Sequence, residues 1–328
     1  MTKRQYAVAT IVLTIALSVF FWFYLPMEIM GGYRVGNFFM RTFYAVLVAM
    51  PVVVGLAFIH ICITKTAYIK NQLDTITHFR HLLFLMVKRD FVTRYRRNIL
   101  GVLWSLLNPL LTMLILTMVF SQIFRFEIPY VNFSVYLLSG QVILGFFSES
   151  TNMALSSIVS GAGTIKKVYV PKYIFPVSRV LSGMVNLFFA FIAFLFVVLV
   201  TGSNFYWTIF LVPIPILYLL VFSMGVAMFL SAAAVFFRDL AYLYGVFLSL
   251  LTFLTPIFYP VSILPTRVFH LIHLNPMFHY VEYFRALAIY GTIPGLWANI
   301  VCIGFALVAL CVGIYAKVAH QDKYILYL

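Results

Sequence analysis

Residues 173–201 read YIFPVSRVLSGMVNLFFAFIAFLFVVLVT and carry a single charged side chain, Arg179. A helix crosses the hydrocarbon core of a bilayer with about 20 consecutive apolar residues, so this run is long enough to span a membrane. Seven further apolar runs of similar length occupy residues 6–25, 42–64, 99–124, 133–158, 205–236, 240–258 and 296–317. None shows the strict alternation of a barrel strand, which favours helices. The sequence therefore predicts an all-α polytopic membrane protein with about eight transmembrane helices.

Composition agrees with this prediction. Of the 328 residues, 64% are hydrophobic and 9% are charged, whereas about 25% of the residues of a soluble domain are charged. The cysteines, Cys62, Cys302 and Cys311, lie inside apolar runs without the spacing of a disulfide framework or a metal site. They are interpreted as small core hydrophobes.

The basic residues predict the orientation. With the N-terminus in the cytoplasm, 17 of the 22 lysines and arginines lie on the cytoplasmic side, as the positive-inside rule requires. The outer side keeps Arg34, Arg41, Arg125, Arg267 and Arg285. An even number of spans returns the C-terminus to the cytoplasm. The net charge of +14 then reflects topology and contact with anionic lipid headgroups, and nucleic acid is not an expected partner.

Residues 71–98 are too highly charged for a span and predict an amphipathic helix at the cytoplasmic interface. The predicted apolar stripe consists of Phe84, Val87, Phe91 and Tyr95. Arg89, Arg96 and Arg97 fall broadly on the opposite side. Composition alone favours a linker on the membrane surface, and a docking surface for a partner is the alternative.

The run RDFVTRYRRNILGVLWSLLNPLLTMLI, residues 89–115, resembles the start of the first core span of the ATP-binding-cassette type-2 export permeases, particularly those that move polysaccharides, O-antigens and teichoic acids. The family pattern is close to LGxLWxxLxPLL. It is matched here by Leu100, Gly101, Leu103, Trp104, Leu107, Pro109, Leu110 and Leu111. Residues 164–182 resemble the family's cytoplasmic loop, and residues 255–265 and 274–291 resemble its external re-entrant region.

The resemblance covers about residues 78–328 and implies a division of the chain. Residues 1–70 form an extra transmembrane hairpin that the commonest six-span form lacks. Residues 71–98 form the interface helix, and residues 99–328 form a six-span permease core. Within that core we expect a cytoplasmic coupling loop at residues 160–172 and an external re-entrant segment at residues 259–295.

In the coupling loop, Gly161 and Gly163 interrupt the preceding span, and Lys166 and Lys167 favour the cytoplasmic side. By itself this pattern is equally typical of an ordinary basic loop. In the family, a short helix at this place inserts into a cleft of a separate ATPase. The resemblance implies a coupling surface made of Ile165, Lys166, Lys167, Val168, Tyr169 and Lys172.

The external segment, residues 259–295, is too apolar for a soluble loop and contains four prolines. Half-inserted helices suit it, and non-helical backbone at membrane depth is tolerated where it borders protein or a water-filled path. The resemblance implies a gate, and a plug that packs the external surface is the alternative. The residues predicted for the translocation path and gate are Trp104, Phe120, Phe124, Phe258, Tyr259, Pro260, Asn275 and Pro276.

Charged residues inside spans need partners. For Glu149 we predict a structural ion pair with an arginine such as Arg179, with a coupling role or a proton relay as alternatives. Glu282 and Arg285, three residues apart, are predicted to pair on a re-entrant helix. The external histidines, His270, His273 and His279, have no further ligands nearby in the sequence, so no metal site is expected.

The sequence contains no GxxxxGK[ST] motif and no recognisable catalytic set, so we expect a transport subunit rather than an enzyme. No cofactor is expected in this chain, since ATP and Mg²⁺ would bind a partner. The resemblance implies a homodimer with two nucleotide-binding ATPase subunits, in the bacterial inner membrane, exporting a lipid-linked glycan such as O-antigen lipopolysaccharide, capsular or cell-wall polymer. The alternatives are a permease for a lipid or drug, a membrane enzyme acting on lipid-linked sugars, and a structural subunit.

Overall fold

The computed structural model describes residues 79–96, 100–120, 131–167, 170–265 and 272–320, which form helices and no strand. The predicted hairpin at residues 1–70 lies outside this part of the chain. The helices are α1 (Arg80–Tyr95), α2 (Leu103–Val119), α3 (Phe133–Leu155), α4 (Ser157–Ser160), α5 (Ala162–Ile165), α6 (Ile174–Val200), α7 (Pro213–Phe236), α8 (Leu240–Leu254), α9 (Pro276–Ala288) and α10 (Leu296–His320). Short 3₁₀ turns occupy Trp207–Leu211 and Val261–Ile263.

Three helical segments in the described part of the chain are long and apolar enough to cross a membrane. They are Ile174–Val200, Trp207–Phe236 and Leu296–Lys317, and they coincide with three of the predicted spans. The runs at 99–124 and 240–258 give the shorter apolar helices α2 and α8. An all-α polytopic membrane protein is therefore the class that sequence and structure share.

Helix α3 lies at the centre of the bundle and packs against α2, α6, α7, α8 and α9. Leu137, Leu138 and Ile143 on this helix are fully buried. It is less apolar than the outer helices because one face carries polar residues, and these residues face a cavity described below. A central helix tolerates them because protein, rather than lipid, surrounds it.

Helices α7 and α10 form the most extensive helix pair, and glycines set how closely they approach. A Cβ atom on Gly225 would overlap the backbone of Ala309 and Leu310, and one on Gly313 would overlap the carbonyl of Gly225. Small residues at a crossing let two backbones approach closely, which is the main source of helix association in lipid. These glycines therefore join the last helix to the centre of the fold.

Helix α9 is a short, buried element of the predicted external segment. Its 13 residues span about 20 Å at 1.5 Å per residue, less than the roughly 30 Å of a bilayer core. Asn275 caps its N-terminus, with the side-chain Oδ1 accepting from the backbone N–H of Met277 at 3.0 Å. Asn275 Nδ2 also donates to Thr255 Oγ1 at 2.8 Å. The cap thus joins the start of α9 to the end of α8.

Candidate functional site

A cavity of about 850 Å³ opens between α1, α2, α3, α6 and α8. One wall is a single face of α3, on which Gln141, Gly145, Ser148, Glu149 and Asn152 recur at helical spacing. At 1.5 Å per residue this wall extends about 16 Å. A polar stripe of this length within an apolar bundle marks a surface kept in contact with water or a polar ligand.

Glu149 is held by residues from two other helices. Its Oε1 accepts hydrogen bonds from Arg94 Nη1 on α1 and from Asn186 Nδ2 on α6, the latter at 2.7 Å. Tyr95 OH donates to Asn186 Oδ1 at 3.0 Å and extends the network. Burial of the guanidinium acts to lower the pKa of Arg94, but the neighbouring Glu149 carboxylate outweighs this and the pKa is raised. The Arg94 guanidinium therefore keeps its positive charge beside the carboxylate.

The predicted ion pair of Glu149 with an arginine is present, but the partner is Arg94 and not the suggested Arg179. Arg179 Nη1 lies 2.7 Å from Asp90 Oδ2, and Ser182 Oγ donates to the same oxygen at 3.2 Å. The reason is that α1 packs against α6 and offers both a carboxylate and a guanidinium one turn apart, at Asp90 and Arg94. Glu149 and Arg179 consequently both pair with residues of α1.

Sequence reasoning missed Asp90 and Arg94. Asp90 is the single acidic residue of α1, and its side chain is only 7% exposed. A lone carboxylate on a basic helix was the available signal that it has a specific cationic partner. Arg94 carried no such signal, because the same segment contains several other arginines.

Aromatic side chains form another part of the cavity wall. Trp104 from α2 and Phe258, which follows α8, both line it, as predicted for path residues. The ring of Phe120 stacks on Phe258 with centroids 5.3 Å apart and planes 10° apart. Tyr259 OH donates to the carbonyl of Phe253 at 2.6 Å. Phe124 lies outside the described residues.

The other predicted gate residues are not part of this cavity wall. Asn275 and Pro276 form the start of α9, and Pro260 is buried ahead of the Val261–Ile263 turn. They position the external segment relative to α8. The cavity nevertheless reaches to within two residues of the external segment, since Ile257 lines it and packs its side chain against Gly140 of α3.

Arg285 on α9 is fully buried. Its Nη1 donates to the carbonyl of Pro256 at 2.9 Å and to Glu282 Oε1 at 3.0 Å, so the predicted Glu282–Arg285 pair is present. Its Nε donates to Ser139 Oγ at 3.2 Å, and its Cζ lies 3.5 Å from the centroid of the Tyr136 ring. One cation thus fixes α9 against α3 and the segment after α8.

Sequence comparison assigns the family once this arrangement is known. Residues 81–289, well over half of the chain, match the family described as ABC-2 type transporter. The chain belongs to the ABC-2 type transporter family. This match confirms the family resemblance that was predicted from the sequence at the start of α2.

Curated relatives within the ABC-2 family are polysaccharide exporters. The chain is 30% identical to an O-antigen export system permease protein, RfbA, of Klebsiella pneumoniae over 75% of its own length and 95% of that protein's. It is 26% identical to the polysialic acid transport protein KpsM of Escherichia coli, covering 69% of this chain and 88% of KpsM. It is 24% identical to a capsule polysaccharide export inner-membrane protein, CtrC, of Neisseria meningitidis, over 68% and 83%.

The predicted coupling loop of this ABC-2 chain, residues 160–172, begins at the last residue of α4 and contains α5. Lys166 and Lys167 follow α5 and are exposed, whereas Lys172 is half-buried. Val168, Tyr169 and the side chain of Ile165 lie outside the described residues. After the loop, Val170 and Tyr173 are buried in one cluster with Leu83 and Met86 of α1. The end of the loop therefore touches α1 directly.

The predicted stripe on α1 is not the face that packs on the core. That face consists of Leu83, Met86 and Asp90. Phe84 is 64% exposed, because it lies about 100° around the helix from Leu83. Val87, Phe91 and Tyr95 are half-buried, Arg89 and Arg96 are exposed, and Arg97 lies outside the described residues.

The external histidines form packing contacts. His279 Nε2 lies 2.8 Å from the carbonyl of His273, and its ring stacks on Phe305. Within the described ranges, no group of three or more histidine, cysteine or acidic side chains is placed to hold a metal. His270 falls outside those ranges.

Proposed function

We propose that this chain is the transmembrane subunit of an ATP-driven exporter that moves a lipid-linked polysaccharide, such as O-antigen, capsular or cell-wall glycan, to the outer face of the membrane. The observation that carries the proposal is the cavity, whose wall combines a polar face of α3 with the aromatic side chains of Trp104 and Phe258. Aromatic faces can stack on the apolar faces of sugar rings, while carboxylate and amide groups bind their hydroxyls. The exporter names of the relatives support the same substrate class.

The source of energy is a separate ATPase subunit, which binds ATP and Mg²⁺. The exposed Lys166 and Lys167 support the coupling loop as its docking surface, together with Ile165, Val168, Tyr169 and Lys172. A displacement of this loop would reach α1 through the contact of Val170 and Tyr173 with Leu83 and Met86. From α1 it would reach the cavity through Arg94.

The exporter contains two copies of this chain and two ATPase subunits. The outer faces of α2 and α8, which flank the cavity, expose long apolar side chains. They include Ile115 and Met118 on α2 and Val246 and Leu250 on α8. A second copy packed on these faces would bring the two cavities together along the dimer axis, where the path for the glycan lies.

In the bacterial inner membrane this chain has eight spans, with both termini in the cytoplasm. The hairpin at 1–70, the interface helix at 71–98 and the core at 99–328 are its three parts. Residues 259–295 form the re-entrant external gate. The short, buried α9 supports this assignment, since it is too short to cross the bilayer and is anchored by Arg285.

The test uses this chain purified with its cognate ATPase in nanodiscs. Lys166, Lys167 and Tyr169 are replaced by alanine in one variant, and both lysines by arginine in a matched control that keeps the charge. We expect stable complexes and stimulated ATP hydrolysis for the parent and the arginine control, and loss of both for the alanine variant. A chain that binds no ATPase would refute the transport assignment.

A deletion strain separates a glycan exporter from a lipid or drug permease. In the first case the glycan accumulates inside the cells and disappears from the surface, and expression of this chain restores it. Normal surface glycan in the deletion strain would contradict the polysaccharide assignment while leaving the ATPase interaction in place.

A further inference from the structure

The polar face of the cavity carries hydrogen-bonding groups that the fold does not use. Gln141 Oε1 is buried and has no hydrogen-bond partner among the described residues. Glu149 accepts the bonds from Arg94 and Asn186 through Oε1, which leaves Oε2 without a partner in the same part of the chain. A buried polar atom without a partner, such as Gln141 Oε1, is rare and calls for a water or a ligand.

Further amides complete this face. Asn152 on α3 and Asn108 on α2 both line the cavity and are exposed to it. An amide side chain offers two donors and a carbonyl acceptor, while a carboxylate oxygen only accepts. Together these groups can bind both the hydrogen and the oxygen of neighbouring hydroxyls on one ring.

The charge of the cavity argues against a phosphate. Arg94 and Glu149 are the charged side chains among the described lining residues, and they are paired with each other. A diphosphate is best bound by cations or by several converging N–H donors. The Glu149 carboxylate would repel a diphosphate and cancels the attraction of Arg94, whereas an uncharged sugar ring meets no such penalty.

We propose that this cavity is a binding subsite for a sugar unit of the glycan and does not hold the lipid diphosphate. Gln141, Glu149 and Asn152 bind the ring hydroxyls, and Trp104, which is 43% exposed, stacks on the ring face. This inference rests on the proposed function and specifies which part of the substrate the cavity recognises.

Gly145 gives direct access to the subsite. It lies one turn from both Gln141 and Glu149 on the same face, and a Cβ at this position meets no atom within 4 Å. A Gly145→Cys side chain would therefore project into the cavity without disturbing the fold. Gly295, ahead of α10, has equally open space outside the cavity and supplies the control position.

The experiment measures labelling of Gly145→Cys by a polar maleimide in the complex with the ATPase in nanodiscs, with Cys62, Cys302 and Cys311 changed to alanine. The probes are the strain's own glycan released from its lipid diphosphate and, separately, inorganic pyrophosphate. We expect the glycan to slow labelling several-fold and pyrophosphate to leave it unchanged. The Gly295→Cys control should be labelled at the same rate without a probe, with the glycan and with pyrophosphate. Changing Glu149 to Gln together with Asn152 to Ala should remove the protection.

Protection by pyrophosphate, or no protection by the released glycan, would overturn the subsite. Either result is distinguishable from failure of the proposed function, because export is measured separately as surface glycan in the complemented deletion strain. Intact export without glycan protection at position 145 refutes the subsite alone. Loss of the ATPase interaction or normal surface glycan in the deletion strain refutes the function itself.

Discussion

Arg94 and Glu149 form an ion pair between α1 and α3, although 55 residues separate them in the chain. Both residues line the cavity, so the same contact that docks the interface helix also shapes the candidate substrate site. Asp90 and Arg179 form a second pair one turn earlier on α1. Helix α1 is consequently held by charges of both signs as well as by Leu83 and Met86.

The two pairs should differ in their contribution to stability. Asp90 is 7% exposed, whereas Arg94 and Glu149 are each about one-third exposed. We expect Glu149→Ala to cost about 1 kcal/mol or less, because solvent screens an exposed pair. Asp90→Ala should cost about 3 kcal/mol, because it leaves Arg179 largely buried without its carboxylate. Thermal unfolding of the purified variants in one detergent gives the ranking, and equal shifts would contradict it.

The crossing of α7 and α10 predicts a severe effect from a very small substitution. Gly225→Ala places a methyl group against the backbone of Ala309, which cannot move aside as a side chain can. We expect a loss of more than about 3 kcal/mol, beyond the usual cost of overpacking. The matched control is Gly245→Ala on α8, where no atom lies within 4 Å and the gain in helix propensity is up to about 1 kcal/mol.

Yield of monodisperse protein after detergent extraction, followed by thermal unfolding, measures both glycine variants. Gly245→Ala should be recovered at least as well as the parent. If Gly225→Ala behaved in the same way, α7 and α10 would not cross at these glycines.

The contacts of Arg285 predict that a substitution destabilises the protein even when it keeps the positive charge. Its guanidinium bonds Pro256 O, Glu282 and Ser139 in different directions, and the amine of a lysine cannot reproduce this fork. We expect Arg285→Lys to destabilise the protein by about 2–4 kcal/mol, since it leaves buried acceptors unsatisfied. Glu282→Gln should cost less, because the amide Oε1 can still accept the bond from Nη1 and the bonds of Arg285 to Pro256 O and Ser139 remain. Unfolding temperatures of the two variants test this contrast.

Local sequence information predicted the helices well and their packing poorly. The apolar run at 173–201 became Ile174–Val200, because length and composition determine a span. The Glu282–Arg285 pair was also predictable, since both residues lie on neighbouring turns of one helix. Periodicity says nothing about which distant element packs against a helix. Arg179 was therefore suggested as the partner of Glu149, and the packing of Leu83 and Met86 against the core was not predicted.

The cavity was only partly accessible to sequence reasoning. Trp104 and Phe258 were chosen as path residues for their aromatic character, and both line it. The polar face of α3 was visible in the sequence, because helical periodicity places Gln141, Ser148 and Asn152 on the same face as Glu149. Sequence reasoning singled out Glu149 alone, because burying a charged side chain in a span costs far more free energy than burying an uncharged amide.

Substitutions of increasing size at Gly145 provide the most direct test of whether the cavity carries substrate. The position is open, so Gly145→Ala adds helix propensity without a clash, and Gly145→Leu and Gly145→Trp fill progressively more of the cavity. If the glycan passes through this space, the amount of surface glycan in the complemented deletion strain should be normal for Gly145→Ala. It should be lower for Gly145→Leu and lowest for Gly145→Trp. Because the substitutions lie far in sequence from the coupling loop, all three variants should still assemble with the ATPase. A tryptophan variant that assembles and exports as well as the parent would place the translocation path elsewhere in the complex.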